Sequence, residues 1–332
     1  MTKTAFVTGG TGFIGINLVE LLVDEGWKVT ALHRPTSNLE YLKRFPIALA
    51  EGSITDRPSL DRAIPDGTDV VFHVAGDTNF WSKRNAQQDA INIAGTRNLV
   101  EAASSKGVGT FIHTSSVSAW GRVKGVVTEE TPLRGESSWI NYERSKHLGE
   151  LEALKGADLG MKVVVLNPGG VAGPYDTNTW GQLFFMLRDD ALPAASPGTV
   201  TISHVHDIVS AHLAAVTKGR SGERYILASD DIEIVDLVGE VARLLGRPKA
   251  PKTAPPFVLK TFARLSVLAA SVTGKEPNVT PEIAAMTSER GTSFRSDKAA
   301  RELDYRVRPM PVAVKDNYDW LVEEGLLAAA SG

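Results

Sequence analysis

Lys3-Thr-Ala-Phe-Val-Thr-Gly-Gly-Thr-Gly-Phe-Ile-Gly15 decides the fold. Ala5, Phe6 and Val7 form a short apolar run without helical period, which reads as a buried strand. A glycine turn follows, and Ile14, Leu18, Leu21 and Leu22 then recur at helical spacing. Gly10, Gly12 and Gly15 spell Gly-x-Gly-x-x-Gly, while Gly9, Gly12 and Gly15 equally spell Gly-x-x-Gly-x-x-Gly. Either spelling has the same chemistry. A missing Cβ allows a tight turn and lets a pyrophosphate approach the backbone, where the free amides and positive dipole end of the next helix meet its charge. Placed between a strand and a helix, the turn predicts a dinucleotide site touched by Gly9, Thr11, Gly12, Phe13 and Ile14.

Working outward, strands and helices alternate. Strands are expected at Lys28–Leu32, Ile47–Ala50, Asp69–Val74, Thr110–His113 and Lys162–Leu166, with long helices over Ala86–Lys106 and Ser138–Leu154. Apolar strands separated by helices imply parallel pairing, right-handed crossovers and helices on both faces. The fold class is therefore α/β, a doubly wound parallel sheet whose ligands sit at the carboxyl ends of its strands. Beyond Pro168 the pattern breaks up, with Pro and Gly clustered at Pro168–Pro174, Pro193–Gly198 and Pro248–Pro256. Residues 1–170 are expected to form the nucleotide domain, with 200–230 returning to it. Residues 171–199 and 231–332 are expected to form a smaller substrate lobe.

Composition narrows the class of function. A chain of 332 residues can bury a large core, and its net charge of -3 gives no electrostatic footprint for nucleic acid. There are no cysteines, so disulfides and thiolate chemistry are excluded. No leader is expected before the first strand, which predicts a cytoplasmic protein. Phe257–Val272 is the longest apolar stretch, but Lys260 and Arg264 interrupt it and stable membrane insertion is not expected. Packing inside the small lobe is the preferred reading, over an amphipathic membrane-surface helix.

The end of the second strand sets the cofactor. Enzymes using NAD commonly place Asp or Glu there to hold both ribose hydroxyls. Here Leu32 is followed by His33-Arg34-Pro35-Thr36-Ser37, with no carboxylate. Arg34 could fork onto the 2′-phosphate of NADP, so NADPH is expected to be preferred over NADH.

Tyr142 and Lys146 stand four apart in a stretch that opens a helix with candidate serine caps, and so share one face. A phenol ionises at about pH 10 unperturbed. A neighbouring ammonium is expected to lower that value. The serine-rich strand end Phe111–Gly121 precedes them, and a hydroxyl from Ser115, Ser116 or Ser118 could hold a substrate carbonyl against the phenol. Spacing alone does not choose among the three.

These motifs together resemble the extended short-chain dehydrogenase/reductase family. Further matches are Val71-Phe-His-Val-Ala-Gly76, Asn92-Ile-Ala-Gly-Thr-Arg-Asn-Leu-Val-Glu-Ala-Ala103, Asn167-Pro-Gly-Gly-Val-Ala-Gly-Pro174, Val205–His212 and Ser296–Tyr305. The resemblance covers essentially the whole chain. Leu32-His-Arg-Pro-Thr-Ser-Asn-Leu39 is most similar to the dihydroflavonol 4-reductase branch. It implies a Rossmann fold with Tyr142 as proton donor, Lys146 orienting the ribose and tuning the tyrosine, and Ser116 holding the substrate oxygen. Val74, Ala75, Gly76 and Thr78 would run along the cofactor with Ser115, while Pro168 and Val171 would meet the nicotinamide carboxamide. Ser53 and Ile54 fall at the adenine, where serine departs from the family's usual aspartate.

The expected function is NADPH-dependent reduction of an aldehyde or ketone, a small-molecule carbonyl substrate. The alternatives are a nucleotide-sugar epimerase or dehydratase, a 3β-hydroxysteroid-type dehydrogenase, and a non-catalytic sensor of NADP redox state. The retained tyrosine disfavours the sensor. His204, His206 and Asp207 tempt as a metal site, but the resemblance makes them a structural strand-to-helix turn and no metal is expected. Trp81, Trp120, Trp139 and Trp180 are expected as core or pocket walls. The two long helices would suit the four-helix core of a homodimer.

Overall fold

The computed structural model describes residues 2–247 and 249–330, with the backbone alone at 271 and 272. Seven strands build the central sheet: Thr4–Thr8 (β1), Lys28–His33 (β2), Ala48–Glu51 (β3), Val70–His73 (β4), Thr110–Thr114 (β5), Lys162–Pro168 (β6) and Arg224–Leu227 (β7). All neighbours pair in parallel, in the order β3-β2-β1-β4-β5-β6-β7. The order reverses between β1 and β4, which opens a crevice at their carboxyl ends.

Alternation along β1 explains the two layers. Ala5 and Val7 enter one core with Leu18 and Leu22 of the helix Phe13–Asp24 and Ile208 of the helix Val205–Thr217. Phe6 enters the other, with Leu60, Leu99, Phe111 and Val163. Each fully buried side chain of this size contributes roughly 1.5–3 kcal/mol.

Strand ends move by a residue or two, and the two long helices differ more. The first long helix runs Asn85–Asp89 and Gly95–Ser105 with a π-turn over Ala90–Ala94 between them. The second begins at Asn141, not Ser138, and its N-cap Ile140 has no side-chain cap. Ser138 accepts instead from the Ile140 amide at 3.1 Å and donates to the Glu143 carboxylate at 2.5 Å, so the expected serine cap is corrected to a bridge just outside the helix.

The remaining elements have a core of their own around Phe184, Ile202, Leu237, Val241 and Leu321. Gly170–Ala172, Thr199–His204 and Asp231–Glu233 form a small mixed sheet beside it. Phe257–Val272 does not pack inside this lobe as expected. It lies in a helix, Pro256–Thr273, whose exposed side chains include Phe257, Phe262 and Leu265. Small residues, Ala263 and Ala270, take its buried side, so its large apolar residues turn outward. Trp139 is exposed as well, whereas Trp120 is fully buried.

Candidate active site

The glycine turn is the first half of the site. Gly9 sits in the left-handed region, φ 75°, and a Cβ there would come within 2.5 Å of the Ala75 amide nitrogen. The turn after β1 and the segment after β4 are therefore pressed together at the switch point, with the Val74 amide donating to the Thr8 carbonyl at 3.2 Å. At Gly15 a Cβ would lie 2.0 Å from the Gly9 carbonyl oxygen, which seats the helix Phe13–Asp24 on the turn. Gly12 differs. It is exposed, and a Cβ would meet only the Gly9 oxygen, at 3.3 Å. It is also the N-cap of a helix without a side-chain cap. This is a cradle that a side chain at Gly12 would fill, beside amides suited to a phosphate. A dinucleotide fits it. Thr11 lies exposed at the tip, and Phe13 and Ile14 are half-buried in the first helical turn.

The second half is the carboxyl end of β5 and the start of the helix Asn141–Asp158. Tyr142 and Lys146 lie one turn apart on this helix. The Ser116 side chain lies close enough to the Tyr142 phenol to pull its pKa down, and its hydroxyl oxygen accepts from the Ser118 amide at 3.1 Å. Ser115 is buried with its hydroxyl unpartnered among the described residues, and its amide donates to the Leu166 carbonyl at 2.7 Å. Of the three candidate serines, Ser116 is the one at the phenol.

Lysine and tyrosine do not have the expected electrostatics. Burial pushes the Tyr142 phenol above its usual value. Ser116 pulls it back, and the Asp77 carboxylate raises it further. The Lys146 ammonium donates to the Thr114 carbonyl at 2.9 Å. Burial lowers Lys146 to about 8, against the opposing Glu150 carboxylate. The ammonium also stands near the Gly76 backbone, 3.7 Å from where a Cβ would be.

The positions expected to face a cofactor at the other end are more open. Arg34 is exposed, and its guanidinium has no ion pair among the described residues. A tight turn holds it: its amide donates to Ser37 Oγ at 3.1 Å and its carbonyl accepts from the Ser37 amide at 3.0 Å. The Ser53 hydroxyl is engaged by Thr55 Oγ1 at 2.8 Å, and Ile54 packs where a Cβ on Gly95 would clash at 2.8 Å. Pro168 and Val171 are buried at the end of β6 and in Gly170–Ala172.

The NAD dependent epimerase/dehydratase family model matches residues 5–228. The chain belongs to that family. A Synechocystis sp. protein provisionally named dihydroflavonol 4-reductase is 29% identical over 98% of this chain and 96% of its own. Sterol demethylase protein B of Methylococcus capsulatus is 29% identical over 79% of this chain and 80% of its own. The crystal structure of gox2253 superposes with a TM-score of 0.82 at 32% identity, covering 98% of this chain and 99% of that one.

Several residues of this epimerase/dehydratase family member escaped the sequence reading. Gln88, Asn92 and Thr96 are buried and four apart, a polar stripe on an otherwise apolar face. Gln88 donates to the carbonyls of Asp77 and Asn79 at 3.1 and 2.7 Å. Asn92 donates to the Asp77 carbonyl at 2.9 Å and accepts from its amide at 2.7 Å. The stripe thus clamps the loop after β4, whose Phe80 ring stands edge-on to Tyr142 at 5.1 Å. The spacing of four was a readable signal. His73 lies beneath, between Thr8 and Thr96 at 2.8 and 2.9 Å, and burial drops it to about 3. Thr96 donates to the Asn92 carbonyl, so neutral His73 donates through Nε2 and accepts through Nδ1. Asn167 donates to the Ser116 carbonyl at 3.1 Å and to buried Glu150, which Arg224 pairs at 2.6 Å. No sequence signal joins these three.

The His204 and His206 rings lie 4.7 Å apart, tilted by 50°, but His204 is bonded to Asp316 and Asp207 to Arg308. No group of residues able to hold a metal occurs among the described residues.

Proposed function

We propose that this protein reduces an aldehyde or ketone to an alcohol with NADPH. The observation that carries the reading is Ser116 beside the Tyr142 phenol, with Lys146 one turn along, at the same sheet end as the glycine cradle. NADPH, when bound, supplies the hydride. The glycine turn and the first amides of its helix would hold the pyrophosphate, Arg34 the 2′-phosphate, and Lys146 the nicotinamide ribose. Ser53, Ile54, Thr78, Ser115, Pro168 and Val171 are proposed to complete the lining.

Tyr142 then delivers its proton to the carbonyl oxygen as the alkoxide forms, and Ser116 donates a hydrogen bond to the same oxygen. Burial favours the neutral phenol, which suits a group that must carry its proton before the reductive step. The substrate would enter a cavity of about 480 Å³ lined by Asp77, Thr78, Asn79, Phe80, Gln182 and Ile283. Phe80 links this cavity to the phenol, its ring edge-on to Tyr142 at 5.1 Å. We assign residues 171–199 and 231–332 to the lobe that shapes this cavity. Missing an acidic residue at the end of β2, the chain is less suited to the retained NAD of an epimerase.

The test is a panel of aldehydes and ketones with NADPH or NADH, followed by Tyr142→Phe on any substrate found. The variant should bind cofactor normally and turn over about 10²–10⁴-fold more slowly, the usual loss for a general acid. Retention of most activity would remove Tyr142 from the mechanism.

A further inference from the structure

The helix Pro256–Thr273 presents large apolar side chains to solvent. Phe257 is 72% exposed, Phe262 53% and Leu265 59%, and Val258 is exposed beside them. At helical spacing these residues fall on one side, opposite the buried Ala263 and Ala270. A monomer seldom leaves such a patch uncovered.

Charge says what covers it. From Arg247 to Lys275 the chain carries Arg247, Lys249, Lys252, Lys260, Arg264 and Lys275, and no Asp or Glu, in a protein of net charge -3. Lys260 and Arg264 are one turn apart, a like-charge pair that destabilises an isolated helix. Neither has an ion pair among the described residues, and both face a cavity of about 310 Å³ with Arg122 and Trp139. Trp139 is 58% exposed there. Arg122 is paired with Glu289, so the free cations are those on the helix. An apolar face flanked by basic residues and an interfacial tryptophan is the chemistry of a helix lying in the headgroup layer of a membrane. A second copy would instead set two wholly basic segments against each other.

We infer that this helix docks the protein peripherally on an anionic lipid surface. Phe257, Phe262 and Leu265 enter the headgroup boundary, and Lys260 and Arg264 meet lipid phosphates. No helix among the described residues is long and apolar enough to cross a membrane, so the contact is with the surface. The docking helix ends at Gly274, and Glu276 just beyond it holds Arg84 at 3.1 Å and also bonds Asn79. Asn79 and Glu276 both line the cavity beside Phe80. Docking would therefore set the cavity mouth next to the lipid. The inference stands without the proposed reaction, because lipid binding is measured without turnover.

Sedimentation of the full chain with vesicles tests it, using phosphatidylcholine alone or mixed with phosphatidylglycerol. Binding should require the anionic lipid and weaken with salt. Lys260→Gln with Arg264→Gln should weaken it by roughly fivefold per charge. Leu265→Asp should weaken it by at least about tenfold, the scale for one buried apolar side chain. Circular dichroism and NADPH affinity should not change, since all three positions are exposed and none lies in the glycine turn. Equal pelleting without and with vesicles, or with both compositions, would overturn the proposal. So would a concentration-dependent dimer that Leu265→Asp dissolves.

Discussion

Lys146 should cost this protein stability at neutral pH, and the cost should vanish in a defined pH window. Its ammonium is buried and falls from the ordinary 10.5 to about 8 in the folded chain. The unfolded chain therefore holds more protons than the folded one between those values, and stability rises with pH across that range. Each pH unit of displacement is worth about 1.4 kcal/mol, so the charged form costs the native state about 3 kcal/mol at pH 7. Lys146→Met keeps the length and removes the charge, while leaving the Thr114 carbonyl without the partner it has at 2.9 Å. That second loss, about 1–3 kcal/mol, does not change with pH. The comparison is therefore made as a slope. Unfolding free energies from urea titrations should show the variant's advantage over the native chain shrinking by about 2.5 kcal/mol from pH 7 to pH 10. Parallel curves for the two proteins would mean that Lys146 is not desolvated as its surroundings imply. The lost ammonium should also abolish most turnover, so the variant would be less active without being less stable at neutral pH.

Arg34→Ala should weaken NADPH binding by about 1–3 kcal/mol, towards the low end because the guanidinium is exposed, and leave NADH unchanged. Fluorescence titration with both cofactors checks this, and equal losses would mean that Arg34 does not read the phosphate. Gly12→Val should leave the melting temperature close to native and abolish cofactor binding, since a Cβ there meets only the Gly9 oxygen at 3.3 Å. Gly15→Ala, whose Cβ would lie 2.0 Å from that oxygen, should destabilise the fold itself. Indistinguishable melts for the two would refute this division of the glycines.

The sheet was legible because its strands are apolar runs separated by helices, and Tyr142 with Lys146 because their spacing matches one helical turn. Arg224–Leu227 was harder, since a four-residue edge strand beginning with arginine has little apolar length to announce it. The tyrosine's electrostatics were not legible at all. Sequence shows a lysine four residues away, but whether its ammonium turns to the phenol or to the Thr114 carbonyl depends on β5, reached from another part of the chain. Likewise Phe257–Val272 reads as a core segment by hydropathy. Only packing shows that its alanines face inward while Phe257, Phe262 and Leu265 do not.

The buried polar groups explain why the loop over the site keeps its place. Asp77–Phe80 has little apolar anchorage, since Asp77 and Asn79 are half-buried and Thr78 is exposed. Its position comes from hydrogen bonds: two to Gln88 and two to Asn92. Asn92 in turn donates to Ser145 Oγ at 2.9 Å on the helix that carries Tyr142 and Lys146. Asn141, beside Tyr142, donates to Gln88 at 2.9 Å. The two helices and the loop are thus one network in which each amide has a fixed partner. An apolar substitution at Asn92 would strand the Asp77 amide and leave its carbonyl to Gln88 alone, so its effect on Phe80 and Tyr142 would reach beyond the lost contact. Hydrophobic packing holds the sheet together, but directional bonds set the angle at which Phe80 meets the phenol. That division follows from the physics: apolar contacts have no preferred direction, and hydrogen bonds do.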